Sequence, residues 1–284
     1  MRLAAYETEG QVGLAASIEG GPFRGLLSTD PKYPGDLDEI IAQGADLADI
    51  SPKFEKAPAV DLSSVKLLPP LRRPGKILCV GLNYHAHAKE FSDMDVVKYP
   101  EIFARFASCL IGHESPVIKP EQSDQLDWEG ELAVVIGKGG RGIRKSGALD
   151  HVFGYSIFND VSVRDYQKRV GQWTMGKNFD STGPFGPWVA TPSELPAGGS
   201  GLRITTRLNG EIVQDSNTSL LIFDVPTLIE YLSAVMTLGP GDVIVTGTPG
   251  GVGVSRVPQL FMKAGDRVEV EIERLGVLSN PVTL

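Results

Sequence analysis

Short apolar runs separated by glycine and proline recur along this chain more often than any helical period does. Near the start, "RLAAYE", "QVGLAAS" and "FRGLLS" read as short strands, and "GDLDEIIAQG" as a short helix between glycines. Residues 52–76, "PKFEKAPAVDLSSVKLLPPLRRPGK", hold five prolines and little periodicity, as a connector does. After them "KILCVG", "ELAVVIG", "VFGYSIFND", "LRITTRLNG", "DVIVTG" and "RVEVEIERL" read as strands. Helical periodicity is clear only in "VPTLIEYLSAVMTL". There Asp224 can cap, Pro226 suits the first turn, and Leu228, Ile229, Leu232, Val235 and Met236 make one apolar face. The pattern predicts a small α+β N-terminal domain with its proline-rich connector over residues 1–72. Residues 73–284 then form a mixed, mainly β domain with peripheral helices.

Composition narrows the function classes. With 42% hydrophobic residues among 284, the chain can bury a sizeable core. Against 27 basic residues stand 35 acidic ones, a net charge of −8, so nucleic acid and anionic membrane surfaces are poor partners. No window has the apolar length of a transmembrane helix, and the N-terminus lacks the charged and apolar regions of a signal peptide. Cys79 and Cys109 stand alone without a CxxC, which argues against a disulfide framework and for a cytoplasmic location. No dinucleotide-binding GxGxxG after a strand, no GxSxG and no Walker loop is expected, which weakens nucleotide and serine-hydrolase readings.

The candidate chemistry starts in "LDWEGELAVVIG", where Glu129 and Glu131 flank one glycine at the head of an apolar strand. In extended chain they share a face, about 7 Å apart. Two such charges need something positive between them. Asp160 ends another apolar run, "FGYSIFND". Three carboxylates at strand ends would make a hard oxygen site for Mg2+ or Mn2+. The alternative is that each is a solvated strand-end acid, Asn159-Asp160 simply opening a turn. In "GLNYHAHAKEF", a helix beginning after Tyr84 would put His87 and Glu90 at i and i+3 on one face. A carboxylate that fixes one imidazole tautomer makes a general base; the alternative is a surface His–Glu pair.

Six ordered motifs carry a resemblance: "VGLNYHAHAKE", "DWEGELAVVIG", "FNDVSVRDYQ", "GKNFDSTGPFGP", "RLNGEIVQDSNTS" and "LGPGDVIVTGTPGGVG". In this order, over residues 76 to about 273, the chain resembles the fumarylacetoacetate hydrolase family. The resemblance implies a β-rich roll or barrel paired into a homodimer. It also implies an enzyme that cleaves, decarboxylates or isomerises small anionic 2-oxo and 2,4-dioxo acids with Mg2+ or Mn2+. It places the metal on Glu129, Glu131 and Asp160, a water-activating dyad on His87 and Glu90, and the family lysine on Lys177. Tyr84, Arg164, Gln167 and Thr248 become candidate substrate contacts, and the amides of Thr246 to Gly251 a possible carboxylate nest. From spacing alone, Lys177 reads equally as a surface lysine, Arg164 and Gln167 as a solvated helix start, and residues 246–251 as a turn.

Two departures matter. No carboxylate precedes His87 between Val80 and Ala86, unlike the longer fumarylacetoacetases with a fourth metal acid. That favours the shorter branch, which resembles acylpyruvate hydrolases and 2-hydroxyhepta-2,4-diene-1,7-dioate isomerases. Arg105-Phe106 stands where family members often have Lys-Pro, in a polar segment, Phe91 to Arg105, expected to form a mobile lid over the substrate. The implied reaction is hydrolysis of an acylpyruvate-type acid: water activated by His87 attacks the C4 carbonyl, Lys177 supports the oxyanion, and the C3–C4 bond breaks. An isomerase or oxaloacetate-type decarboxylase needs no attacking water, and a non-catalytic metal-binding scaffold would not need the dyad.

Overall fold

The aliphatic run after Glu131 forms the strand Gly130–Ile136, buried on both faces, within an eleven-stranded sheet. The structure is a computed structural model, and it describes residues 1–91 and 97–284, with the backbone alone at Phe91. Across the sheet the strands run Arg24–Leu27, Gln11–Ser17, Arg2–Thr8, Gly183–Ala190, Val152–Asn159, Gly130–Ile136, Val243–Val245, Ile77–Gly81, Glu101–Arg105. Two short strands, Lys66–Leu67 and Leu110–Ile111, pair with Arg2–Thr8 and Gly183–Ala190. Most pairings are antiparallel, but Val243–Val245 runs parallel to Ile77–Gly81, so the sheet is mixed. It does not close into a barrel. A second, five-stranded sheet runs Glu211–Asn217, Arg203–Leu208, Arg267–Ile272, Gly276–Thr283, Val117–Ile118.

Side-chain alternation decides where the two cores lie. Leu132, Val134 and Ile136 face a core shared with Ile204, Val270 and Ile272 of the second sheet and with the helix Val225–Val235. Ala133 and Val135 face the other way, against Leu3, Leu14 and the helices Leu37–Ala42 and Leu47–Glu55. Both faces are therefore covered, which is why the strand reads as a continuous apolar run rather than an alternating one. The N-terminal strands join the same sheet through Arg2 opposite Ala190 and Leu3 opposite Val189.

Several local expectations are met, and some are corrected. Asp224 caps the helix Val225–Val235 by accepting from the Thr227 N–H, and Leu228, Ile229 and Leu232 are buried. Val235 is exposed instead, because the helix ends there and Met236 is already extended. The helix Leu47–Glu55 extends into the proline-rich stretch; Asp46 caps it, and Ile50 and Phe54 anchor it at i and i+4. Gly137, Gly139 and Gly142 have the GxGxxG spacing after a strand. They lead into the 3-10 turn Lys145–His151 and an antiparallel neighbour, so no helix N-terminus faces a pyrophosphate. Among the described residues, no helix is long and apolar enough to cross a membrane.

Candidate active site

Gly130 explains how two acids can begin a buried strand. A Cβ there would lie 2.9 Å from Val270 Cγ1 and would also collide with the Thr206 hydroxyl, so only glycine admits the second sheet at that point. Glu129 and Glu131 flank this contact, and the neighbouring strand ends beside them: Gly130 pairs with Asn159, and the Asp160 N–H donates to the Glu129 carbonyl at 2.9 Å. One oxygen from each of Glu129, Glu131 and Asp160 lies within 4.8 Å of the others, and all three residues are buried.

The opposing charges form a chain of alternating sign. Arg105 Nη1 donates to Asp160 Oδ1 at 2.5 Å, and Lys177 Nζ bridges Asp160 Oδ2 at 2.7 Å and Glu129 Oε2 at 2.8 Å. Arg164 Nη1 meets Glu129 Oε1 at 2.6 Å, and its Nε meets Asp127 Oδ2 at 2.7 Å. Burial alone would push Glu129 up, but the Lys177 ammonium and the Arg164 guanidinium outweigh it and hold the carboxyl well below its usual range. Burial would likewise lower Lys177, yet Asp160 and Glu129 raise it. Glu131 is left over. Among the described residues it has no ion-pair partner and accepts only from the Gly247 N–H, so burial and the charges of Asp160 and Glu129 push it well up.

The strand Ile77–Gly81 delivers the helix His85–Phe91, and this sets the dyad: His87 Nδ1 lies 2.8 Å from Glu90 Oε2. Glu90 Oε1 accepts from the Gly251 N–H at 2.7 Å and the Ser255 hydroxyl at 2.8 Å. Burial raises Glu90, but these bonds prevail and keep it below its usual range. Since an ionised carboxylate accepts, the Nδ1–H tautomer follows, with Nε2 as the basic nitrogen. His87, Glu129, Glu131, Arg164, Gln167, Lys177 and Thr248 line one cavity of about 130 Å3, walled by Val80, Leu82, Phe103 and Trp173.

The predicted residues meet this site unequally. Lys177 and Arg164 are 1% exposed, so neither is the surface group that spacing alone allowed. Gln167 accepts from Arg164 Nη1 at 2.9 Å. Thr248 donates to the Gly130 carbonyl at 3.0 Å and accepts from Gln214 Nε2 at 2.9 Å. Tyr84 does not line the cavity; it is buried, and its hydroxyl has no partner among the described residues. The amides of 246–251 do bind carboxylates, but those of Glu131 and Glu90. Residues 92–96 of the expected lid lie outside the described residues. Its far end is corrected: Glu101–Arg105 pairs with Ile77–Gly81, and Arg105 is buried behind Asp160 rather than over the cavity. Sequence reasoning missed Asp127, which takes Arg164 Nε and the N–H groups of Trp128, Gly253 and Val254. The acid alternation 127, 129, 131 was its signal.

The family model described as "Fumarylacetoacetate (FAA) hydrolase C-terminal" matches residues 76–283. The chain is 42% identical over 289 aligned residues to the Homo sapiens protein named "Oxaloacetate tautomerase FAHD2A, mitochondrial", covering 99% of this chain and 91% of that one. Among solved structures it is similar to a fumarylacetoacetate hydrolase from psychrophilic Exiguobacterium antarcticum, at 36% identity and TM-score 0.86, covering 100% of this chain and 99% of that one. It is also similar to a 2-hydroxyhepta-2,4-diene-1,7-dioate isomerase from Mycobacterium marinum, at 34% identity and TM-score 0.76, covering 100% and 98%. The strand-borne acids, the dyad-bearing helix and these matches together make the chain a member of the fumarylacetoacetate hydrolase family.

Proposed function

We propose that this chain is a Mg2+- or Mn2+-dependent enzyme that enolises small 2-oxo dicarboxylic acids of the oxaloacetate type. One observation carries the reading: the His87 imidazole opens on the same cavity as Glu129 and Glu131, which converge with Asp160. A base beside a hard cation site is what removal of a proton next to a ketone requires. The all-oxygen donor set suits Mg2+ or Mn2+. Charge count agrees: one divalent ion against the unbalanced Glu131 leaves a single positive charge, which the carboxylate of a chelating 2-oxo acid would balance. The name of the 42% identical human relative adds support.

When bound, the ion would supply Lewis acidity at the ketone oxygen and so acidify the neighbouring carbon. His87 Nε2 takes the C3 proton and returns it to the 2-oxo oxygen, or the reverse, so no water is consumed. Glu90, held by Gly251 and Ser255, fixes the ring and balances the imidazolium. Lys177 places its ammonium near the charge that develops on the oxygen. For a second carboxylate, Arg164 Nη2 is a buried donor with no acceptor among the described residues, and Lys168 stands at the exposed rim.

A second reading keeps the same residues: His87 activates water, and the enzyme hydrolyses the C–C bond of an acylpyruvate. Similarity to the fumarylacetoacetate hydrolase of Exiguobacterium antarcticum favours it. The test follows enol absorbance and product identity for oxaloacetate and acetylpyruvate with Mg2+ or Mn2+. The expected outcome is faster keto–enol exchange with oxaloacetate recovered intact. Pyruvate and acetate formed from acetylpyruvate, with oxaloacetate exchanging at its uncatalysed rate, would put the hydrolase in its place.

A further inference from the structure

Gly251 gives its N–H to Glu90 Oε1 at 2.7 Å, and contacts on the other side of its loop decide where that N–H points. The chain passes so close to the strand Glu211–Asn217 that a Cβ on Gly251 would lie 2.2 Å from the Val213 carbonyl oxygen. Its φ of +108° is likewise one that side chains disfavour. Two carbonyls, those of Val213 and Gly251, then meet one arginine. Arg256 Nη2 donates to the Val213 carbonyl at 2.6 Å and to the Gly251 carbonyl at 3.2 Å, and Nε to the latter at 3.3 Å. Trp128 Nε1 also donates to the Gly251 carbonyl at 3.3 Å, and the Arg256 guanidinium lies 5.8 Å from the centroid of its ring. Among the described residues Arg256 has no ion-pair partner, and it does not line the cavity. Its neighbour Ser255 gives its hydroxyl to the same oxygen of Glu90 at 2.8 Å.

We propose that Arg256 is a positioning residue for the His87–Glu90 dyad: it fastens the loop Gly251–Arg256 to the strand Glu211–Asn217, and so keeps the Gly251 N–H and the Ser255 hydroxyl on Glu90. The inference rests on the role given to the dyad above. Two carbonyl oxygens carry like partial charge and move apart unless a donor stands between them. A guanidinium, with its donors in one plane, binds both, and its charge strengthens each bond. Were the loop to recede, Glu90 would lose two of its three hydrogen-bond partners among the described residues and keep only His87. A carboxylate free to turn no longer holds an imidazole at one angle, and a displacement of about 1 Å at a reacting group can cost about 10²-fold in rate.

The experiment compares full-length wild type, Arg256→Ala and Arg256→Lys, each also combined with Glu90→Ala. With oxaloacetate and Mg2+, R256A is expected to lower kcat about 10-fold and leave KM within about twofold. R256K keeps a cation beside the two carbonyls and should recover part of that loss. In the Glu90→Ala background the same R256A change should cost less than about twofold, because the residue it acts through is gone. A full additive loss there overturns the proposal. A second readout needs no turnover: the His87 Nδ1–H proton in 15N-histidine-labelled protein, identified by its absence in His87→Ala. It is expected downfield in wild type and R256K, and shifted upfield or lost to exchange in R256A. A merely structural role would lower Tm and leave both kcat and this resonance of the folded protein unchanged, which also overturns the proposal. If wild type does not enolise oxaloacetate, the functional reading fails and the resonance alone decides the role of Arg256. Should R256A not fold, Arg256→Gln, which fills the space without the charge, carries the same expectations.

Discussion

Glu131 keeps its proton in the folded chain at pH values where an unfolded glutamate has lost it, since burial, Asp160 and Glu129 all oppose its ionisation. Between the two pKa values the folded state binds more protons, so the stability this residue contributes falls as pH rises through that window. Glu131→Gln retains an acceptor for the Gly247 N–H and removes the titration. In EDTA-treated protein at pH 7 it should raise Tm, by roughly 2–4 °C for each kcal/mol recovered, and flatten the pH dependence. It should also abolish most of the Tm rise that the metal reading expects of Mn2+ in the wild type. A lower Tm in E131Q would mean that another group bears the excess charge. His87→Ala touches no carboxylate of the metal set, so Mn2+ affinity should hold while oxaloacetate enolisation falls by about 10²–10⁴. Glu90→Gln should cost less, because it orients the ring without taking the proton. Equal loss of metal binding in His87→Ala would remove His87 from the role of base.

Gly130 is where two sheets meet, and its neighbours inherit their direction from that contact. Gly130→Ala must separate the strand from Thr206 and Val270, an overpacking expected to cost about 1–3 kcal/mol in urea unfolding. Mn2+ binding should weaken with it, because Glu129 and Glu131 would shift; a variant with lower stability but unchanged Mn2+ affinity would show that the acids do not depend on this packing. Elements whose pattern is local were legible in the sequence: the aliphatic strand Gly130–Ile136, the capped helix Val225–Val235, and the i, i+3 pair on His85–Phe91. The helix Leu47–Glu55 was hidden by Pro52 inside it. Arg105 was hidden by distance, for its partner lies 55 residues on and nothing near "EIFAR" announces it. The strand Glu101–Arg105 is polar enough to read as loop because it lies at the edge of the sheet.

At the scale of the whole molecule, the N-terminal strands and helices cover one face of the sheet that carries the site. Ala133, Val135, Phe158, Phe185, Val189 and Val243 share a core with Leu3, Leu14, Leu37, Ile40 and Phe54. A chain lacking residues 1–72 would expose that face, and it is expected to aggregate or bind a hydrophobic dye, read by light scattering and fluorescence. A monodisperse truncated chain with a sharp thermal transition would show the N-terminal unit to be dispensable. The alternation Arg105, Asp160, Lys177, Glu129, Arg164, Asp127 has a consequence for how the protein is made. Three positive and three negative side chains cancel by themselves, so the new polypeptide can finish folding without waiting for an ion as a zinc finger must. On the metal reading proposed above, loading would be a separate, later event, open to whatever divalent ion the finished fold meets.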